Sequence, residues 1–430
     1  MIVNLSSPAK RGGLVCIAVA VGIYLTYFSV RTARATYYTG LETLYGYERA
    51  AQLEPENARN WYRLGRYLQY SLEDANPARA IDSYLTALRI DPGATTTWLD
   101  LAATYETEGN EAEARSAFLN AKKTYPASAE VSWRYGNFLL RQGELEQAFS
   151  EIRHSVESDP LRAAEAFSRC LGIEPDADVI LDRVIPANRE IYIAVMHDLA
   201  GERQVDSALK VWKRLVAMHA EVPMSEMFTL VTTLRQMGRA QEAHELWMQA
   251  AERAGLGDLG GPKDSAVWDG GFESTVVGQE YAWRYSTAAH GVQIGTDQQE
   301  QHSGKQSLRV SFDGSLDISF REVCQIVPVK GETSYELSGW MQTKGLTTDK
   351  GVRLELQPFG AGGSLADTAE VHGTEPWTRV GAVWEGSKEN QEVEICLRRD
   401  ASEQEDNKIR GTVWVDDVAL TPTAKRGDKR

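Results

Sequence analysis

The sequence predicts a multidomain chain: an N-terminal transmembrane helix, then an all-α repeat superhelix, then an all-β sandwich. Three observations carry this. A run of nineteen residues, 12–30, contains no charge. Four prolines then recur at near-constant intervals through sequence of helical period. Near residue 267 the hydrophobic period switches to two, the period of strands.

The 430 residues exceed one ordinary domain and can bury more than one core. Hydrophobic content of 42% with 25% charged residues is the balance of folded protein, not of a disordered chain. The formal net charge of −15 argues against a nucleic-acid or anionic-lipid surface as the main partner, because phosphate binding needs clustered Lys and Arg.

The uncharged run "GGLVCIAVAVGIYLTYFSV" lies between Arg11 and Arg31. At about 1.5 Å per residue it reaches close to the hydrocarbon thickness of a bilayer, about 30 Å. The competing reading is a cleaved signal peptide, with Ala33-Arg34-Ala35 as the A-x-A site. The apolar stretch is longer than a typical signal core, so an uncleaved anchor is favoured. Cys16 sits inside the run with no leucine three residues before it, which does not suit a lipoprotein anchor. Lys10 and Arg11 precede the span while Arg31 and Arg34 follow it, a nearly flat bias. A short basic N-terminus favours a cytoplasmic residue 1–11 segment, with the bulk of the chain outside.

Pro55, Pro92, Pro126 and Pro160 follow one another at intervals of 37, 34 and 34 residues. Within each period the same pattern returns. Trp61, Leu64, Gly65 and Leu68 precede Ala80, Tyr84 and Ala87; Trp98, Leu101, Ala102 and Tyr105 precede Ala114, Phe118 and Ala121. One period later come Gly136, Leu139, Gly143, Ala148 and Ile152. Small residues let paired helices approach, aromatics fill between units, and each proline stops a second helix. This pattern closely resembles the tetratricopeptide family from about residue 41 to 160, and loosely on to 256. "SALKVWKRL" and "EAHELWMQA" repeat the second-helix pattern, with Trp212 and Trp247 at the aromatic position. The resemblance implies a groove that binds a protein partner. A spacer that carries the next domain away from the membrane is the alternative.

A linker is expected at 257–266, and a sandwich over 267–421, ending in a basic tail at 422–430. About eight strands are expected: the opening "WDGGFE" (268–273), then 307–312, 321–329, 335–340, 352–357, 379–384, 393–398 and 413–420. That number and spacing suit a two-sheet jelly roll. The order "WDGGFE", "HSGKQSLRVSF", "QIVPVKGETSYELSGWMQT", "EPWTRV", "GTVWVDDVAL" resembles the carbohydrate-binding-module jelly roll carried by many bacterial polysaccharide-degrading enzymes. If the strands neighbour one another as in that family, alternation turns Leu308, Val310, Leu337, Leu354, Leu356, Val393, Ile395 and Leu397 inward. One polar face then carries Trp340, Arg309, Arg353, Gln357 and Arg398, the candidate glycan-binding residues. Sugar rings stack on aromatic faces, and planar Arg and Gln groups hydrogen-bond hydroxyls.

The same resemblance implies that Glu273 and Asp416 or Asp417 help hold a structural calcium ion, a hard cation suited to carboxylates. The alternative is that the opening segment pairs with the last strand and the acids are surface charges. No cofactor is otherwise required. None of the four cysteines forms a CxxC pair. Cys324 and Cys396 share the module and could pair in an oxidising compartment, but alternation puts Cys396 on the polar side of its strand, so a core disulfide is not expected. His290, His302 and His372 are too dispersed to propose as ligands.

No nucleophile elbow, Walker loop, dinucleotide fingerprint or zinc-protease motif occurs, and an enzyme is not expected. The combination resembles repeat proteins associated with bacterial exopolysaccharide assembly. It implies a single-pass inner-membrane protein whose bulk lies in the periplasm, contacting a protein partner and a polysaccharide. A protein–protein scaffold that never meets sugar is the alternative reading.

Overall fold

The computed structural model describes residues 8–423 apart from 258, 260, 261, 263, 287 and 406. Residues 1–7 and 424–430, most of the expected cytoplasmic segment and basic tail, lie outside the described residues, as do several positions of the expected linker. The chain divides into two compact units, Met1–Ala187 and Asn188–Arg430.

The first unit is all helical. It opens with α1 (Pro8–Thr39), long and apolar enough to cross a membrane, its apolar window entirely exposed. Helix α1 does not stop where the uncharged run stops. No glycine or proline intervenes between Val30 and Gly40, and residues 31–39 pack on α2 (Leu44–Leu53). Ala35 and Thr39 are buried there, and the Thr32 hydroxyl donates to Glu54 at 2.6 Å.

Three helical hairpins follow: α3 (Ala58–Tyr70) with α4 (Pro77–Ile90), α5 (Thr95–Thr107) with α6 (Glu111–Thr124), and α7 (Ala129–Arg141) with α8 (Leu145–Ser158). Each repeat proline stands one residue beyond a helix C-cap: Glu54, Asp91, Tyr125 and Asp159 are the caps. The indole N–H of Trp61 donates to the Pro55 carbonyl and that of Trp98 to the Pro92 carbonyl, the same bond one repeat apart. A Cβ on Gly65 would lie 2.7 Å from the Tyr84 ring, and one on Gly136 would lie 2.7 Å from Ile152. Those glycines set the spacing of paired helices. Shorter helices, α9 (Ala163–Leu171) and α10 (Ala177–Arg183), close this unit.

The second unit begins with two more hairpins, α11 (Arg189–Gly201) with α12 (Val205–Ala217) and α13 (Phe228–Gln236) with α14 (Ala240–Arg253). A two-sheet antiparallel sandwich follows. One sheet has the order β1-β2-β3-β10-β5-β8 and the other β4-β9-β6-β7. The strands are β1 (Ala288–Ala289), β2 (Val292–Asp297), β3 (Ser307–Asp313), β4 (Phe320–Val329), β5 (Ser334–Lys344), β6 (Arg353–Pro358), β7 (Ala366–Asp367), β8 (Glu375–Trp384), β9 (Gln391–Arg399) and β10 (Arg410–Thr423). The expected inward set is the core between the sheets, with Leu308, Val310, Leu337, Leu354, Leu356, Val393, Ile395 and Leu397 at most 1% exposed. Strands β1, β2 and β7 were not anticipated; β1 and β7 are two residues long, and β2 has only Val292 and Ile294 buried in it, while the expected strand at 268–273 is irregular backbone.

The sandwich is not a bead on a string. Trp247 of α14 is fully buried, with Trp268 edge-on at 5.2 Å and Tyr281 edge-on at 6.1 Å. Arg235 of α13 donates to Glu280 and, with two nitrogens, to Glu392, while Phe359 lies under its guanidinium at 4.6 Å.

Cys324 and Cys396 form a disulfide, contrary to the expectation from alternation. They are directly opposite on β4 and β9. Arg284 exchanges both backbone hydrogen bonds with Cys324 at the edge of β4, and its side chain reaches Glu394 on the polar side of β9. Cys396 is fully buried despite facing away from the core. Replacing both cysteines by serine should cost the sandwich about 2–4 kcal/mol. The check is the denaturation midpoint followed by tryptophan fluorescence, with the reduced wild-type protein shifting equally.

Candidate functional site

The glycan-binding candidates do not share one face. Alternation assigns each residue a side of its own strand but not a sheet. Arg309 and Trp340 lie on β3 and β5, in the six-stranded sheet, whereas Arg353, Gln357 and Arg398 lie on β6 and β9, in the four-stranded sheet. The two sets therefore occupy opposite outer surfaces of the sandwich, which corrects the expected single face.

The surface of the four-stranded sheet is a closed ion-pair network. Arg353 contacts Asp367 at 3.0 Å, Glu370 at 3.2 Å and Asp400 at 2.8 Å. Arg398 pairs with Asp400, and the Gln357 amide donates to Glu394, which Arg284 and Arg321 also hold. Each of these side chains already has a carboxylate partner, although Arg398 Nε is buried without an acceptor, and the set includes no Trp.

The opposite surface is aromatic. Trp340 is half-buried, and the His302 ring stacks on it with centroids 3.9 Å apart and planes 16° from parallel. Trp377 of β8 meets His302 edge-on at 5.8 Å. In register, Trp340 stands between Asp416 of β10 and Arg379 of β8. One step along, Trp414 stands between Arg309 and Gln342. The Trp414 indole donates to Asp297 at 3.0 Å, and this bond holds the Asp297 carboxyl below its ordinary pKa. Gln342 donates to Glu300, and Arg379 to Glu336. The sequence flagged Trp340; His302 and Trp377 were missed. Nothing in a solitary histidine between turns shows that its ring will be carried onto a sheet.

What carries it there is the pair of segments that bound the module. The opening segment runs beside the end of β10: the Ala266 amide donates to Leu420, and the Val418 amide to Gly270, both at 2.9 Å. A Cβ on Gly270 would sit 2.1 Å from the Val418 oxygen, so only glycine permits this approach. Gln325 of β4 grips the Trp268 backbone on both sides, accepting from its amide and donating to its carbonyl. A bulge in β10 after Asp416, with Asp417 at φ 49°, turns both aspartates toward the 302–306 loop.

Asp416, fully buried, accepts the amides of His302 (2.8 Å), Ser303 (3.0 Å) and Asp417 (2.8 Å). Asp417 accepts from the Ser303 hydroxyl and lies 2.6 Å from His302 Nδ1. Glu273 Oε1 accepts the amides of Lys305 and Gln306. Asp269, also buried, accepts those of Glu273 and Ser274.

Glu273, Asp416 and Asp417 thus gather at one loop, but as acceptors for its N–H and O–H groups. Among the described residues their oxygens do not converge within 4.8 Å as a metal cage would require; the one group that does is Cys324, Glu394 and Cys396, whose sulfurs are already bonded to each other. As arranged, these carboxylates are taken up by main-chain and hydroxyl donors of the loop rather than gathered as a side-chain cage.

Burial pushes Asp269 up to about 7 and Asp416 up to about 6. An unfolded aspartate titrates near about 4, so their stabilising contribution is full below that pH and is lost as pH rises toward 7. His244, whose Nε2 lies 3.0 Å from the Ala266 carbonyl oxygen, runs the other way: burial holds it down to about 4, and its contribution is lost as pH falls below about 6.5. The opposing slopes offset in the native protein. An Asp269→Asn variant should lose thermal stability on acidification from about pH 7 to about pH 4.5 more steeply than wild type, melted in chelator. An unchanged slope would contradict the buried-acid assignment.

No family model and no curated protein matches the chain. Among solved structures, MamA is similar at 16% identity and a TM-score of 0.27, over 40% of this chain and 85% of that one. YrrB, described as a TPR protein with an unusual peptide-binding site, aligns at 16% identity and 0.27, over 49% of this chain and 93% of that one. The CBM22-1–GH10 modules of Clostridium thermocellum xylanase 10B, complexed with xylohexaose, align at 14% identity and 0.24, over 33% of this chain and 26% of that one.

Proposed function

We propose that the protein is a non-enzymatic, membrane-anchored scaffold whose helical repeats hold a protein partner and whose six-stranded sheet binds a polysaccharide, in bacterial exopolysaccharide or envelope assembly. The observation that carries the glycan half is the Trp340–His302–Trp377 cluster on an outer sheet surface, with Arg379 beside Trp340 in register and Gln342 and Arg309 on either side of Trp414 on the same surface. Because His302 takes one face of Trp340, the platform for a sugar is the remaining Trp340 surface together with Trp377 and the His302 edge. Arg353, Gln357 and Arg398 are not part of it.

For the partner half, the first helices of successive repeats share a polar ladder. The Tyr62 hydroxyl and an Arg134 nitrogen both donate to the buried Asp100, at 3.0 and 3.1 Å. Asp100 and Arg134 hold one position in consecutive repeats and Tyr62 stands one residue before that position in the preceding repeat, so this surface is ordered before any partner arrives.

Two observations support anchoring with the bulk in the periplasm. Cleavage after Ala35 would cut α1 within a continuous helix and strip α2 of the Thr32 bond and of buried Ala35. A disulfide persists in oxidising compartments, which suits the far side of the inner membrane.

Affinity electrophoresis of residues 188–430, the compact unit, through gels of acidic and neutral polysaccharides tests the glycan reading. Retardation by at least one polysaccharide is expected. It should weaken by about 2 kcal/mol, roughly 30-fold, in Trp340→Ala and in Trp377→Ala. It should be unchanged in Arg353→Ala and by calcium. Free migration of folded protein in every gel would leave a scaffold that contacts only protein.

A further inference from the structure

The junction of α1 with α2 contains a cavity of about 450 Å³. Tyr27 and Val30 line it on the side of the apolar span, Arg31 and Arg34 one turn further on, and Gln52 and Leu53 from α2. Its position along α1 sets its depth. The nineteen uncharged residues before Arg31 extend about 28 Å as a helix, so the two arginines fall where the hydrocarbon gives way to headgroups. This depth rests on the reading of α1 as an anchor.

The charges there are unequal. Arg31 pairs through one terminal nitrogen with Glu56, and its guanidinium lies 4.8 Å from the Phe28 ring centroid. Its Nε is buried with no hydrogen-bond partner. Arg34 is exposed and has no carboxylate partner among the described residues. The nearby acid Glu54 is turned inward, accepting from Thr32, Asn57 and Asn60, which holds its carboxyl below the ordinary range. The cavity therefore offers an unpartnered guanidinium and an orphan N–H beside an apolar wall.

We propose that this cavity binds the headgroup phosphate of an anionic glycerophospholipid. Arg34 and the free edge of Arg31 grip the phosphodiester, and an acyl chain lies along Tyr27 and Val30. A lipid so held fixes the rotation of α1 about its axis. Because α1 runs unbroken onto α2, it also fixes the first repeat against the membrane.

The test uses the full chain in mixed detergent micelles of phosphatidylglycerol and phosphatidylcholine, read by native mass spectrometry. Wild type should retain phosphatidylglycerol preferentially. Arg34→Gln, which breaks no ion pair among the described residues, should lower that retention about fivefold, and Arg31→Gln with Arg34→Gln further, while the double lysine variant keeps most of it. Equal retention of the two lipids, or retention indifferent to the glutamines, overturns the site. Displacement by excess inorganic phosphate overturns it as a lipid site and reassigns it to a free anion. Alkaline carbonate extraction separates the premises: protein released from the membrane sinks the anchor, whereas protein that stays but ignores lipid charge sinks the headgroup site alone.

Discussion

The sandwich and everything placed on it depend on the contact between Gly270 and Val418. A backbone-to-backbone approach that excludes even a methyl group brings the first segment of the module against its last strand. From that contact the segment reaches four ways. Trp268 packs on Trp247 of α14, its backbone is held by Gln325 of β4, and the Asp269 carbonyl accepts the Trp283 indole. Glu273 reaches the 302–306 loop. One short stretch thus joins the last helices, both sheets and the loop that shapes the outer surface.

Burying carboxylates is costly unless their oxygens are bonded, and here each buried acid is filled by main-chain amides. The arrangement concentrates strain: Asp269, Phe272 and Asp417 all adopt positive φ without being glycine, and a Cβ on Gly304 would meet Glu273 Oε1 at 2.0 Å. Strain that dense needs a return, and the loop supplies one by laying His302 on Trp340. The two outer surfaces of the sandwich diverge accordingly. On the four-stranded sheet, arginines and acids cancel one another around a disulfide; on the six-stranded sheet, tryptophans stay partly open.

Features encoded locally could be read from the chain. Prolines one residue past each C-cap marked the repeats, and alternation marked the inward residues of four strands, β3, β5, β6 and β9. Features that depend on which strands become neighbours could not. Arg353 and Trp340 have the same pattern of surrounding residues, yet β6 and β5 belong to different sheets. Cys396 looked solvent-facing because its partner, Cys324, comes from another strand 72 residues away and only the pairing of β4 with β9 sets the two opposite. His302 is placed by its own amide bonding to Asp416, a contact that leaves no pattern around the histidine. The continuation of α1 to Thr39 was not drawn from the sequence, although no glycine or proline stands between Val30 and Gly40.

The most direct test of this account is amide hydrogen exchange by mass spectrometry on the full chain, comparing wild type with Gly270→Ala. Overpacking here should cost about 1–3 kcal/mol. If the opening segment is the common tie, protection falls together in residues 302–306, in 416–420 and in α14, while α3 to α8 are unchanged. Loss confined to 268–273, with the loop and α14 still protected, would contradict it.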